Sequence, residues 1–131
     1  MSRPFHLAVP ARDLEKSVHF YKNILECKLG NREEGKWIDI DFWGNELTLH
    51  KSDMQLSSER HEVDMGNVPI PHFGAHLESQ TFNKIKENLK KNKIDYLDQP
   101  YTRFKDRKEE QETFFVKDPH GNILELKTFK N

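Results

Sequence analysis

Residues Thr113–Phe129 read TFFVKDPHGNILELKTF, two short alternating runs joined by Asp-Pro-His-Gly-Asn. Pro119 fixes one backbone angle and Gly121-Asn122 tolerates the positive φ that tight reversals demand, so the stretch is a β-hairpin with a mechanistic turn. In its second strand Leu124, Leu126 and Thr128 share one face and Ile123, Glu125 and Lys127 the other, because successive side chains of a strand point to opposite sides. Glu125 is the carboxylate that packing does not explain, and Phe115 and Thr113 share a face of the preceding strand.

A chain of 131 residues is the size of a single domain, or of two small units packed as one. With 34% hydrophobic and 33% charged residues, and nine Phe, three Tyr and two Trp, it is a wet but foldable composition. A net charge of −1 lacks the positive field that phosphate backbones require, so neither nucleic acid nor an anionic membrane surface is expected as a partner. The first residues, MSRPFHLAVP, are too short in apolar run for a signal peptide, and no stretch approaches a membrane span. Cys27 is the sole cysteine, which excludes an intrachain disulfide framework and fits a reducing, cytoplasmic setting.

Working outward, Pro4–Val9 alternates as a strand, with Phe5, Leu7 and Val9 opposing His6 and Ala8. Asp13 caps a helix whose stripe is Leu14, Val18, Tyr21 and Leu25, with Gly30 as its expected end. Trp37–Phe42 and Glu46–Lys51 are strands joined by Gly44-Asn45, with Thr48 and His50 on the polar face of the second. Residues 54–69 show no periodicity and read as a linker between module one (1–53) and module two (70–131). Then the order repeats: a strand over His72–Leu77 placing His72 and His76 outward, a helix from Ser79 carrying Phe82, Ile85 and Leu89, a strand within Ile94–Tyr101, and the closing hairpin. The charged excursion from Arg103 to Glu112 precedes that hairpin, and as a lid it could bring Arg103 or Lys105 to an anionic substrate.

His6 and His72 lie 66 positions apart, and the same offset carries Asp13 onto Ser79; Gly44 and Gly121 lie 77 apart, the difference matching the charged excursion. Each module therefore reads βαβββ. The fold class is α+β, two such modules forming a curved mixed sheet with helices on the convex face. His6, His50, His72 and Glu125 then fall on the non-helix faces of their strands.

FHLAV at 5–9, DLEKSVHFYKNIL at 13–25, VPIPHFGAHLE at 68–78 and FFVKDPHGNILELK at 114–127 together resemble the vicinal oxygen chelate superfamily of glyoxalase I, bleomycin-resistance proteins and extradiol dioxygenases. The resemblance spans nearly the whole chain. It implies one divalent metal ion, held by His6, His50, His72 and Glu125, and such a set suits Zn, Ni, Mn or Fe(II). Aligned on Gly-Asn, Thr48 matches Glu125, so His50 needs a bulge or bend to bring it back by roughly 7 Å. Glu125 is the expected catalytic base of a glyoxalase-like lyase or isomerase acting on a small substrate bound through two oxygens. His76, Arg103, Phe115 and Trp37 are the expected substrate contacts. An Fe(II) extradiol dioxygenase is the alternative, although Phe115 stands where those enzymes carry a tyrosine. A metal-free sequestering protein like the bleomycin-resistance proteins is the third reading, and the resemblance also implies a homodimer.

Overall fold

The computed structural model describes residues 3–57, 59–63 and 66–130. These divide into two compact units, one running to Gln55 and including Asp118–Asn122, the other comprising Leu56–Lys117 and Ile123 onward.

In the first unit, β1 (His6–Ala11) leads to α1 (Leu14–His19), which continues through a π-helical turn, Phe20–Ile24. Asp13 caps α1 as expected, its side chain accepting from the Lys16 N–H. The strands β2 (Lys28–Glu33), β3 (Trp37–Phe42) and β4 (Asn45–Lys51) follow, in the sheet order β1-β4-β3-β2 with β1 and β4 parallel. Val18, Tyr21, Ile24 and Leu25 are buried, as are Ile38, Ile40, Phe42, Leu47 and Leu49 of the sheet. Gly30 does not end the helix. It lies in β2, where a Cβ would come within 3.1 Å of Asp39 Cβ, so its place is fixed by close strand approach.

One buried group on α1 has no evident use. Ser17 is fully buried and its Oγ has no hydrogen-bond partner among the described residues. Ser17→Ala removes an unsatisfied hydroxyl and improves helix propensity, so it is expected to stabilise the protein by about 1 kcal/mol. Chemical denaturation at constant m-value measures this; a midpoint that falls would show that the hydroxyl is satisfied in solution.

The turn Asp118–Asn122 is secured within this unit. The Asp118 carboxylate accepts from the Tyr21 hydroxyl at 2.7 Å and from the backbone N–H groups of His120, Gly121 and Asn122, while Asn122 Nδ2 donates to the Pro10 carbonyl. His120 Nδ1 accepts the Arg12 N–H, which leaves Nε2–H to donate to the Met54 carbonyl. Gly121 takes φ +103, the conformation expected of this turn.

The second unit holds β5 (Arg60–Val63), β6 (Gly66–Pro69), β7 (Phe73–His76), α2 (Ser79–Lys91), β8 (Asp98–Arg103), β9 (Gln111–Lys117) and β10 (Ile123–Phe129). Its main sheet runs β7-β10-β9-β8, with β7 and β10 parallel. The stripe Phe82, Ile85 and Leu89 is buried, and the Phe82 ring lies 5.1 Å from that of Phe114, whose register partner on β10 is Leu126. Hence α2 covers the even-numbered face of β10, and Glu125 points from the other. Within the span expected to be a linker, β5 and β6 pair antiparallel, and Arg60 grips Asp98 of β8 through its two terminal guanidinium nitrogens at 3.1 and 3.2 Å.

Hydrogen bonding forms a mixed four-stranded sheet in each unit, and with the two helices this is the α+β class that the sequence suggested. The internal repeat holds at the level of register. Ala8 pairs with Thr48 in the first unit and Gly74 with Glu125 in the second, the offsets of 66 and 77 read from the sequence. No described helix is long and apolar enough to cross a membrane.

Candidate functional site

The chemistry of the second unit centres on Glu125. Its strand is flanked by β9 and β7, with Phe115 and Gly74 as register partners, and the residue is only 6% exposed. A buried carboxylate must be hydrogen-bonded or neutralised. Oε2 accepts the Thr113 hydroxyl at 2.7 Å, Oε1 lies 3.2 Å from His72 Nε2, and Lys127 Nζ stands 3.9 Å from the same oxygen. Burial pushes the Glu125 carboxyl up, but the hydrogen bonds from His72 and Thr113 and the charge of Lys127 outweigh it, leaving the group below its usual range.

His72 stands just ahead of β7 and is oriented from its far side. Its Nδ1 lies 2.7 Å from the Pro69 carbonyl, which can only accept, so Nδ1 carries the proton and Nε2 is the atom turned toward Glu125. Two electron-rich atoms at 3.2 Å repel unless a cation lies between them, either a proton or a metal ion. With a proton, the hydrogen bond to Glu125 raises the His72 pKa, burial opposes it, and the Pro69 carbonyl and the Glu125 charge reinforce it. The ring meets Phe115 edge-on at 5.1 Å, and Phe115 is 1% exposed.

The pair imposes a pH dependence on metal-free protein. Protonated His72, with its folded pKa raised above 6.5, contributes fully below pH 6.5 and loses that contribution as pH rises through the raised value. Ionised Glu125, lowered from 4.5, contributes fully above pH 4.5 and loses its share as pH falls through the lowered value. Denaturation midpoints in chelator are therefore expected to be highest between these limits and to fall on the alkaline side, and His72→Gln should remove that alkaline decline. A wild-type midpoint unchanged from about pH 6.5 to 9 would contradict the pairing.

The other residues expected at the site are placed differently. His6 of β1 is opposite Glu46, with Nδ1 2.8 Å from Oε1, and is exposed. His50 is opposite Pro10 and Trp37, and the ladder between β1 and β4 runs without a shift from His6 to Ala11. His6 and His50 stand four register steps apart, about 13 Å along the strands, in a ladder without a bulge. Among the described residues no group of three or more His, Cys, Asp or Glu side chains is placed to hold one ion. Thr48, the counterpart of Glu125, donates to Asp39 at 2.7 Å, and Asp41 accepts from the Gly44 N–H. Trp37 Nε1 donates to Glu33. His76 stacks on Phe129 with centroids 4.8 Å apart, and burial, aided by Lys127, lowers its pKa. Arg103 pairs in register with Gln111, four residues along β9 from Phe115, and its guanidinium covers the Phe104 ring.

Two contacts of Glu125 were legible as neighbours but not as partners. Thr113 and Lys127 fall on its face by alternation alone, yet only the register shows Thr113 opposite Lys127 and within reach of Oε2. The Pro69 carbonyl that sets the His72 tautomer carries no side-chain signal at all.

A family model described as the Glyoxalase/Bleomycin resistance protein/Dioxygenase superfamily matches residues 3–126. Among solved structures, a glyoxalase/bleomycin resistance protein/dioxygenase from Alicyclobacillus acidocaldarius is 34% identical, covering 98% of this chain and 92% of that one at a TM-score of 0.75. The fold is shared with the genomically encoded fosfomycin resistance protein FosX of Listeria monocytogenes, at 16% identity, 98% and 93% coverage and a TM-score of 0.72. It is shared also with lactoylglutathione lyase of Agrobacterium tumefaciens, at 13% identity, 98% and 94% coverage and a TM-score of 0.63.

Proposed function

The chain belongs to the glyoxalase/bleomycin resistance protein/dioxygenase superfamily, and on that footing we propose that it is an enzyme whose His72 and Glu125 hold a divalent metal ion and act on a small oxygenated substrate by lyase or isomerase chemistry. The observation that carries this reading is the fixed tautomer of His72, which turns an imidazole lone pair onto a buried, ionised carboxylate at 3.2 Å and asks for a cation between them. One imidazole and one carboxylate are two donors of a coordination set, and they fit Zn, Ni, Mn or Fe(II). When bound, the ion supplies Lewis-acid polarisation of the substrate's oxygens.

The protein's own groups divide the remaining work. Pro69 holds the His72 ring in orientation. Thr113 occupies Oε2 of Glu125, so Oε1 is the atom that would hold the ion, and it could take a substrate proton only when substrate displaces it from that ion, the carboxyl being kept ionised at neutral pH. Phe115, buried and edge-on to His72, screens the pair from water. It also offers no hydroxyl, so the dioxygenase reading lacks an acid–base group at that position.

Metal analysis of protein purified without a tag tests the proposal. About one equivalent of divalent metal is expected in wild type and markedly less in His72→Gln. Metal-free wild type that takes up no divalent ion on reconstitution would overturn it.

A further inference from the structure

Lys127 is a second charge on the face that bears Glu125, and the chemistry above leaves it unused. It lies two residues along β10, so its side chain emerges on the same side of the sheet, and only 23% of it is exposed. Register sets it beside His76 on β7 and Thr113 on β9. Next to it the His76 ring is stacked on Phe129, with planes 13° apart.

The carboxylates around it are committed elsewhere. Glu125 Oε1 is closer to His72, at 3.2 Å, than to Lys127, at 3.9 Å, and Oε2 takes the Thr113 hydroxyl. Glu112, the register partner of Thr128, lies on the α2 side of the sheet and is held by Lys86 at 2.6 Å, and Asp98 of β8 is held by Arg60. One carboxylate thus stands against an imidazole and an ammonium, and a divalent ion would deepen the positive excess. Lys127 shares the Glu125 carboxylate, 3.9 Å away, with His72, and a substrate's negative charge would balance the positive charge that remains. Arg103, the cation suggested by the sequence, is opposite Gln111, two residues or about 7 Å further along β9 than Thr113, and is the poorer candidate.

We propose that Lys127 recognises an anionic substrate, a small 2-hydroxy or 2-oxo acid or its phosphonate analogue, whose charged group lies between Lys127 and the His76–Phe129 stack. Lys127 Nζ stands 3.9 Å from Glu125 Oε1, so an acid whose charged group meets the ammonium carries its adjacent oxygen toward His72 and Glu125. The assignment rests on the proposed function of His72 and Glu125 and adds the substrate's charge to it.

Lactate and lactamide make a matched pair of probes, alike in their two vicinal oxygens and different in charge. Calorimetric titration of the Mn2+-loaded protein is expected to show lactate binding about tenfold more tightly than lactamide. Lys127→Gln should bring lactate down to the lactamide level, Lys127→Arg should restore most of the difference, and the melting profile and Mn2+ affinity should stay near wild type. Equal affinities for the two probes in wild type, including none for either, overturn the assignment, as does a Lys127→Gln protein that still prefers lactate. Failure of wild type to bind Mn2+ would instead defeat the metal reading, and the same titrations on metal-free protein would still decide the role of Lys127.

Discussion

Gly74→Ala is expected to destabilise the protein by about 3 kcal/mol or more, a fall in Tm on the order of 10 °C, and to weaken metal binding with it. The reason is the parallel ladder of β7 and β10. Gly74 is the register partner of Glu125, and a Cβ built there collides with the Glu125 carbonyl oxygen and carbon. Backbone atoms cannot rotate away as a side chain can, so the strands must part. The ladder from Phe73 to His76 opens, and the strand that follows His72 moves off the strand that carries Glu125. Gly35→Ala is the control. Gly35 takes φ +74 with nothing within 4 Å of a Cβ, so alanine there costs only the backbone strain, about 1 kcal/mol. Thermal denaturation of the two variants measures the contrast. Equal shifts would mean that β7 and β10 do not approach as closely in solution.

Glu125→Gln should lower divalent-ion affinity by about a hundredfold, or about 2.7 kcal/mol, while leaving the fold intact. The amide matches the carboxylate in size, and its oxygen still accepts the Thr113 hydroxyl, so packing is preserved. What goes is the negative charge that faces His72 Nε2 and Lys127 Nζ. The charge that raises the His72 pKa also disappears, so in metal-free protein the imidazole should titrate nearer its ordinary value, readable by NMR. Turnover, once a substrate is in hand, is expected to drop by roughly 10²–10⁴, the usual worth of a positioned general base. Mn2+ titrations of wild type and variant test the first effect directly. Unchanged affinity would move the metal away from Glu125.

The closing hairpin was readable because several signals agree there: alternation, turn chemistry and a carboxylate that packing does not explain. Glu125 was singled out that way and His72 through the repeat, and the two lie 3.2 Å apart. For His50 the same reasoning gives the face alone. A period of two tells which face a side chain takes, but not how far along the strand it sits, and His50 lies two residues beyond the position equivalent to Glu125. That equivalent position is Thr48, and its partner is Asp39.

The strands that the sequence concealed are the exposed ones. In β2 only Leu29 is partly buried, and the ladder to β3 is interrupted after it, so no apolar alternation marks the strand. Every residue of β5 is exposed, and its pairing with β6 is backbone hydrogen bonding that any side chain permits. An edge or surface strand carries little hydrophobic signal because it buries little. The His72 tautomer was hidden for a related reason: a main-chain carbonyl sets it, three residues back in the chain.

Anomalous diffraction at the zinc edge, from crystals grown with one equivalent of Zn2+, tests the central claim most directly. A peak is expected about 2.0–2.2 Å from both His72 Nε2 and a Glu125 carboxylate oxygen, with His72 Nδ1 still bonded to the Pro69 carbonyl. A zinc-containing crystal with no peak there, and with His72 still in direct contact with Glu125, would contradict it.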